Sequence, residues 1–149
     1  MSKTHKLTNE TFSPENFRFV DLGLPSGRLW ATENAPGFYT FDEAVDTFGE
    51  LLPKGSAMVE LIEESEVSLN REKKGLDITG PNRNTIFLPA DGFSWEMKVN
   101  NAKLEGDYWT RMPFSQTLAR CLYFNSGGVR PFYDYTRCLG FSVRPCKEP

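Results

Sequence analysis

Three cysteines, one histidine and twenty carboxylates are the groups of this 149-residue chain best able to do covalent or acid–base chemistry. Thiolate catalysis at Cys121, Cys138 or Cys146 needs a neighbouring base. The sequence names none, because the single histidine, His5, sits in a polar N-terminal stretch. General-base and nucleophile schemes built on histidine fall with it. The cysteines lack the spacing of a zinc site, and an odd number cannot all pair internally, which points to a reducing compartment or a virion. No pair of carboxylates is marked out by an apolar setting for glycosidase-type work. "GPNRN", residues 80–84, has neither the lysine nor the strand-to-helix setting of a phosphate loop. There is no EF-hand loop, although calcium held by other oxygen ligands stays open. The expectation is a protein without catalysis and without a cofactor.

What stands out instead is aromatic. Phe132, Tyr133 and Tyr135 flank Asp134 with no helical or strand period, so the stretch reads as a loop. Aromatics make up 13% of the chain, and aromatic side chains are common anchors of binding surfaces. Arg111, Arg120, Arg130, Arg137 and Arg144 make the C-terminal third locally basic without forming a run. The net charge of -3 argues against a nucleic-acid partner, which selects a basic surface. No apolar stretch has the length of a membrane helix, and the first residues lack the apolar core of a signal peptide.

The elements that must position these residues follow from pattern. Residues 1–15 are polar and read as a flexible tail, leaving 16–149 as one domain. Phe17, Phe19 and Leu22 begin an extended run, and "LPSG" closes a turn before Leu29 and Trp30. "TFDEAVDTFGELL" reads as a helix with Thr40 as N-cap, Glu43 completing a capping box, and Phe41, Ala44, Val45 and Phe48 on one face. A second helix follows in "PKGSAMVELIEES", with Ser56 as its cap, Val59, Leu61 and Ile62 as contacts, and Glu60, Glu63, Glu64 and Glu66 on a solvated face. "VSLN", "LDITG", "TIFLPA", "YWTRMP", "CLYFN" and "FSVRP" are short extended runs separated by turns. Two helices among many short strands make an α+β domain. Trp30 and Trp109 read as core, and Arg144 as a structural hydrogen-bonding residue.

Five segments, taken in order, carry a resemblance. They are "VDLGLPSGRLWAT", "LPKGSAMVELIEE", "ITGPNRNTIFLPADG", "DYWTRMP" and "LYFNSGGV…GFSVRP". Together they resemble the C-type-lectin-like domains that serve as variable proteins of diversity-generating retroelements, and related domains of gut bacteria and their phages. The likeness covers Phe17 to Pro145. It implies a C-type-lectin-like α+β fold: two helices, short and mostly antiparallel strands, and long loops. It also implies a ligand-binding display domain for a protein or glycan on a cell surface, made in the cytoplasm and carried on a virion or other surface. Trimers occur among such proteins, but oligomeric state is left open.

Relatives often carry an asparagine-rich form of the last segment, N-S-G-N-V-N-P-N-N-N-N-N-R-N-N-G-F-S-V-R-P. This chain departs from it at Gly128, Arg130, Phe132, Tyr133, Asp134, Tyr135, Thr136, Cys138 and Leu139. In the family, template adenines are copied with errors, so an AAC codon becomes many others but never one for Lys, Glu, Gln, Met or Trp. All nine departures are permitted outcomes. The resemblance therefore makes these nine positions the candidate ligand surface. Cys121 and Tyr123, facing away from Leu122 and Phe124, join them, as do Thr110, Arg111, Phe114, Leu118 and Arg120. Met112 and Gln116 are read as scaffold. Glu33, where many relatives have cysteine, and Asp91 of "PADG" depart from the family away from this surface.

The physical logic is that a segment which need not pack can hold any residue above a fixed frame, here "GFSVRP" with Phe141 and Val143 inward. Two rival readings use the same residues. One is a glycan-binding module of fixed specificity, its aromatics stacking on sugar rings. The other is an enzyme like the formylglycine-generating family, which shares a related fold and uses cysteines.

Overall fold

The computed structural model describes residues 12–149. The expectations for residues 1–11, His5 among them, lie outside the described residues. The part of the expected tail that is described is docked. The Phe12 amide donates to the Thr47 carbonyl at 3.2 Å, and its ring stacks on Phe48 with centroids 5.1 Å apart.

Over the described residues the chain is an α+β protein of two α-helices and small antiparallel sheets. In order come β1 (Phe19–Asp21), β2 (Leu29–Ala31), α1 (Phe41–Phe48), α2 (Gly55–Glu63), β3 (Glu66–Asn70), β4 (Gly75–Thr79) and β5 (Thr85–Pro89). Then follow β6 (Phe93–Trp95), β7 (Lys98–Asn100), β8 (Glu105–Pro113), β9 (Leu118–Asn125), β10 (Gly128–Thr136) and β11 (Cys146–Lys147). The sheets run β1-β2-β11, β3-β4-β5, β6-β7 and β10-β9-β8. Cys146 pairs with Trp30, so the last strand closes the sheet opened by the first two.

The β8–β9–β10 sheet lies between two apolar clusters. Tyr108, Leu122 and Phe124 enter one, with Trp30, Met58, Leu61, Leu76 and Ile78. Trp109, Ala119 and Cys121 enter the other, with Tyr39, Phe41, Phe48, Phe141 and Val143. A sheet buried on both sides cannot show the simple apolar-in, polar-out alternation. For that reason Cys121, expected to face away from the core, does face away from Leu122 yet is fully buried. Gly106 belongs to the same packing, because a Cβ there would sit 2.2 Å from the Phe124 ring.

The first helix forms as its pattern predicts. Thr40 Oγ1 accepts from the Glu43 amide at 3.2 Å, and the Thr40 amide donates to Glu43 Oε1 at 2.9 Å. Phe41, Ala44 and Phe48 are buried, but Val45 is 38% exposed and Thr47 takes the place expected of it. In α2 the N-cap is Lys54, not Ser56, and no side chain caps it. Nor does Glu60 belong to a solvated face. It accepts from the Ser26 amide and hydroxyl at 3.0 and 2.7 Å and pairs with Arg28, tying the "LPSG" turn to the helix. Glu63, Glu64 and Glu66 are exposed as expected.

"GFSVRP" is the anchor that its pattern suggests, though not a strand in a ladder. It is an extended segment making single bridges, Phe141 to Tyr39 and Ser142 to Tyr108, and every residue from Leu139 to Cys146 is buried. Arg144 is the structural residue expected of it. Its Nε donates to Asn34 Oδ1 at 2.8 Å, Nη1 to the Ala31 carbonyl at 3.1 Å and Nη2 to the Phe87 carbonyl at 2.6 Å. Burial holds the guanidinium below its ordinary pKa. Arg144→Ala is expected to lower unfolding stability by about 3 kcal/mol or more, because three acceptors lose their donor. Arg144→Lys should recover little of it, since an ammonium cannot reproduce the fork. Urea denaturation of both variants measures this.

Candidate functional site

The aromatic stretch expected to be a loop is a strand. Residues 128–136 form β10, which pairs with β9 alone and so is an edge. The pairing slips between Arg130 and Tyr133, leaving Pro131 and Phe132 in a bulge. Proline cannot donate to a ladder and is tolerated at edges and bulges, so Pro131 accounts for the irregularity. The bulge also masks the period of two in the sequence and turns Phe132 outward, 60% exposed.

The candidate residues do not form one surface. Register with β9 places Arg130, Tyr133 and Tyr135 on the face of Tyr123 and Cys121, and Asp134 and Thr136 on the face of Arg120 and Leu118. On the first face three tyrosines meet. Tyr123 and Tyr133 stack with centroids 5.1 Å apart, and Tyr135 stands nearly perpendicular to both at 6.4 and 5.8 Å. Tyr135 also contacts Phe141 edge-on at 5.5 Å, so the cluster rests on the anchor segment. The Arg130 guanidinium lies 5.9 Å from the Tyr133 ring. On the second face Arg120 donates to Asp134 Oδ1 at 2.6 Å and lies 3.5 Å from the Phe132 ring, with Phe114 at 5.8 Å.

Four expected contact residues are buried and cannot touch a ligand as the fold stands. Thr110 is sealed in the sheet with its hydroxyl donating to the Arg120 carbonyl, and Cys121 lies in the second apolar cluster. Arg120 is held between Asp134 and Phe132, and Leu139 begins the anchor. Gly128 is half-buried with open space around it, but its φ of +145° strains any larger residue. Tyr123, Tyr133, Tyr135, Asp134, Thr136, Leu118 and Arg111 are half-buried, while Arg130, Phe132, Phe114 and Cys138 are exposed.

Glu105 and Asp107, the latter the first residue of "DYWTRMP", are not among the expected contact residues, yet they bear on the site. They alternate along β8, and the register sets Asp107 opposite Tyr123, beside the tyrosine cluster. Asp107 is fully buried and neither of its oxygens has a hydrogen-bond donor among the described residues; Glu105 accepts from Asn101 Nδ2 at 2.8 Å through its other oxygen. Burial, then the adjoining Glu105, pushes the Asp107 carboxyl well above the ordinary carboxylate range. Burial and the same two acids also raise the Tyr123 and Tyr135 hydroxyls. The one signal in the sequence is the period of two in "EGDYW", and it means burial only once the neighbouring strands are placed. Burial likewise pushes the Cys121 thiol well up and the Cys146 thiol to about 12, which disfavours thiolate chemistry at either. Among the described residues, no group of three or more His, Cys, Asp or Glu could hold a metal ion, and no helix is long and apolar enough to cross a membrane.

Comparison with protein-family models, curated proteins and solved structures finds no match to the chain.

Asp107 also sets a pH dependence. Its pKa is raised in the folded state, so above about pH 4 the unfolded chain releases a proton that the folded chain keeps, and stability falls as pH rises. Wild-type protein is expected to unfold at lower urea at pH 8 than at pH 5. Asp107→Asn, which stays neutral, should remove most of that difference.

Proposed function

We propose that this chain is a non-catalytic, C-type-lectin-like display domain. It presents the β10 edge to a protein or glycan on a cell surface, with side chains there diversified by a retroelement. The observation that carries the reading is a contrast in burial. No residue from Gly128 to Thr136 is fully buried, whereas every residue from Leu139 to Cys146 is. Apart from Gly128, whose backbone favours glycine, positions of the first kind can change at smaller cost to the fold than those of the second, which supply the frame.

The contact set is then smaller than the sequence suggests and falls into two patches. Tyr123, Arg130, Tyr133 and Tyr135 form one; Arg111, Phe114, Leu118, Phe132, Asp134 and Thr136 the other, with Cys138 beyond the end of the strand. Large, rigid aromatic rings give contact area at low entropic cost, so a few of these residues carry most of the affinity.

Two measurements test this. Replacing Tyr133 and Tyr135 together with alanine is expected to weaken capture of the cell-surface ligand at least tenfold. The stability cost should stay near 1–3 kcal/mol, the scale of the ring–ring packing that the double variant gives up. Global unfolding of the variant would make both residues core and end the proposal. At the gene, a neighbouring reverse transcriptase and an asparagine-coded repeat are expected; their absence would favour a glycan-binding module of fixed specificity.

A further inference from the structure

Glu105 and Asp107 stand two residues apart on one face of β8. Three of their four carboxyl oxygens, both of Asp107 and Oε2 of Glu105, are buried without a donor among the described residues. The fourth accepts from Asn101. Two ionised carboxylates are acceptors only, and side by side in a buried place each disfavours the charge of the other. One proton between them answers both demands, because it makes one carboxyl a donor to its neighbour.

No cation nearby does the same work. Register sets Cys121 and Tyr123 of β9 and Arg130, Tyr133 and Tyr135 of β10 on this face. Arg130 is exposed and lies over the Tyr133 ring. Lys103, on the loop that carries Asn101, is exposed too. Among the described residues no Lys or Arg pairs with either acid. Gly92 bridges Gly106, the Ser142 amide donates to the Asp107 carbonyl, and Phe93 touches Tyr135; none of them brings a charge. Tyr108 turns to the other cluster, where its hydroxyl donates to the Pro89 carbonyl. Helix α1 meets β8 through Phe41 on Trp109, with Glu43 engaged at Thr40, Asp42 on Arg137 and Asp46 exposed. Tyr123 is the residue directly across from Asp107. Its ring stacks on Tyr133 and its hydroxyl accepts from Asn125.

We propose that one proton held between Asp107 and Glu105 keeps the tyrosine patch closed over them, and that its loss to solvent at rising pH opens the patch while the frame stays folded. This rests on the reading that the β10 edge is a ligand surface, and it assigns one face of that surface its regulation. A carboxylate left bare among apolar rings has to reach water or a donor. The tyrosines give way first, because they are half-buried and β10 is paired on one side only. Residues 139–146 hold, being buried apart from a small part of Leu139 and tied down by Arg144. Burial also raises the Tyr123 and Tyr135 hydroxyls above their ordinary value, so their own ionisation lies beyond the range in which the patch opens.

The test is an NMR titration of the full chain from about pH 5 to about pH 9, a range that lies above the ordinary aspartate value and below the tyrosine one. It follows the Asp107 side-chain carboxyl carbon, the rings of Tyr123, Tyr133 and Tyr135, and Phe141 and Val143 as reporters of the frame. The Asp107 carbon is expected to titrate inside that range, the three rings to shift with the same midpoint, and the frame signals to stay in place. D107N should hold the rings still throughout. E105Q, which gives Asp107 a donor and removes the neighbouring charge, should lower the midpoint by at least one pH unit. Asp107 titrating near pH 4, rings unmoved through its titration, rings and frame shifting together, or ring shifts that persist in D107N would each overturn the proposal. Saturable shifts of the Asp107 carbon with calcium chloride at pH 7 would do so as well, by making the unpaired oxygens a metal site. A patch that opens on schedule in a protein that captures no cell-surface ligand leaves the switch standing and sinks the wider function. Capture by a protein whose patch never moves does the reverse.

Discussion

A guanidinium withdrawn from water must find acceptors, and the three that Arg144 finds lie on two distant parts of the chain. Asn34 follows β2, Ala31 ends it, and Phe87 lies in β5. One buried cation therefore ties the C-terminal segment to two sheets at once. On either side of it the segment bridges Tyr39 and Tyr108, and its last strand closes onto Trp30. Such an arrangement is unforgiving, because a buried donor or acceptor left without its partner costs more than the pair contributes. It fixes the floor on which β10 stands.

The strand above that floor obeys a looser constraint. β10 is an edge, paired on one side only, and Pro131 breaks its ladder where a bulge can absorb the missing donor. The result is a strand with its backbone held and no side chain wholly committed to the core. Its two faces differ in character. Tyrosines crowd one face beside a buried acid pair. Arginine sandwiched by phenylalanine occupies the other, next to the uncapped start of α2. Asp107 is the least settled element of the first face. It is buried without a donor in a place where a neutral residue would rest more easily, so it lowers stability at neutral pH.

Much of this was legible in the residues. Thr40 and Glu43 announce α1 through a reciprocal pair of local hydrogen bonds, which need nothing beyond three intervening residues. Trp30, Trp109, Phe141 and Val143 are buried as their patterns require. The exceptions share a cause. Cys121 alternates away from one core and runs into another, and Thr110 is sealed within the sheet by its bond to the Arg120 carbonyl. Ser56 resembles a cap, but the helix starts two residues earlier than that, at Gly55 behind Lys54, and without a side-chain cap. Glu60 belongs to an acidic run yet faces Ser26 and Arg28, more than thirty residues away.

The sequence by itself determined the class of fold, the two helices, most of the strand segments and the anchoring role of "GFSVRP". These follow from contacts within a few residues and from the segregation of apolar side chains. Only the tertiary structure decided that the aromatic segment is an edge strand and not a loop, that its side chains divide between two faces, and that Glu105 and Asp107 are buried together. The physical reason is that burial belongs to a site in space: it depends on which distant strand or helix covers a residue, and no local pattern records that.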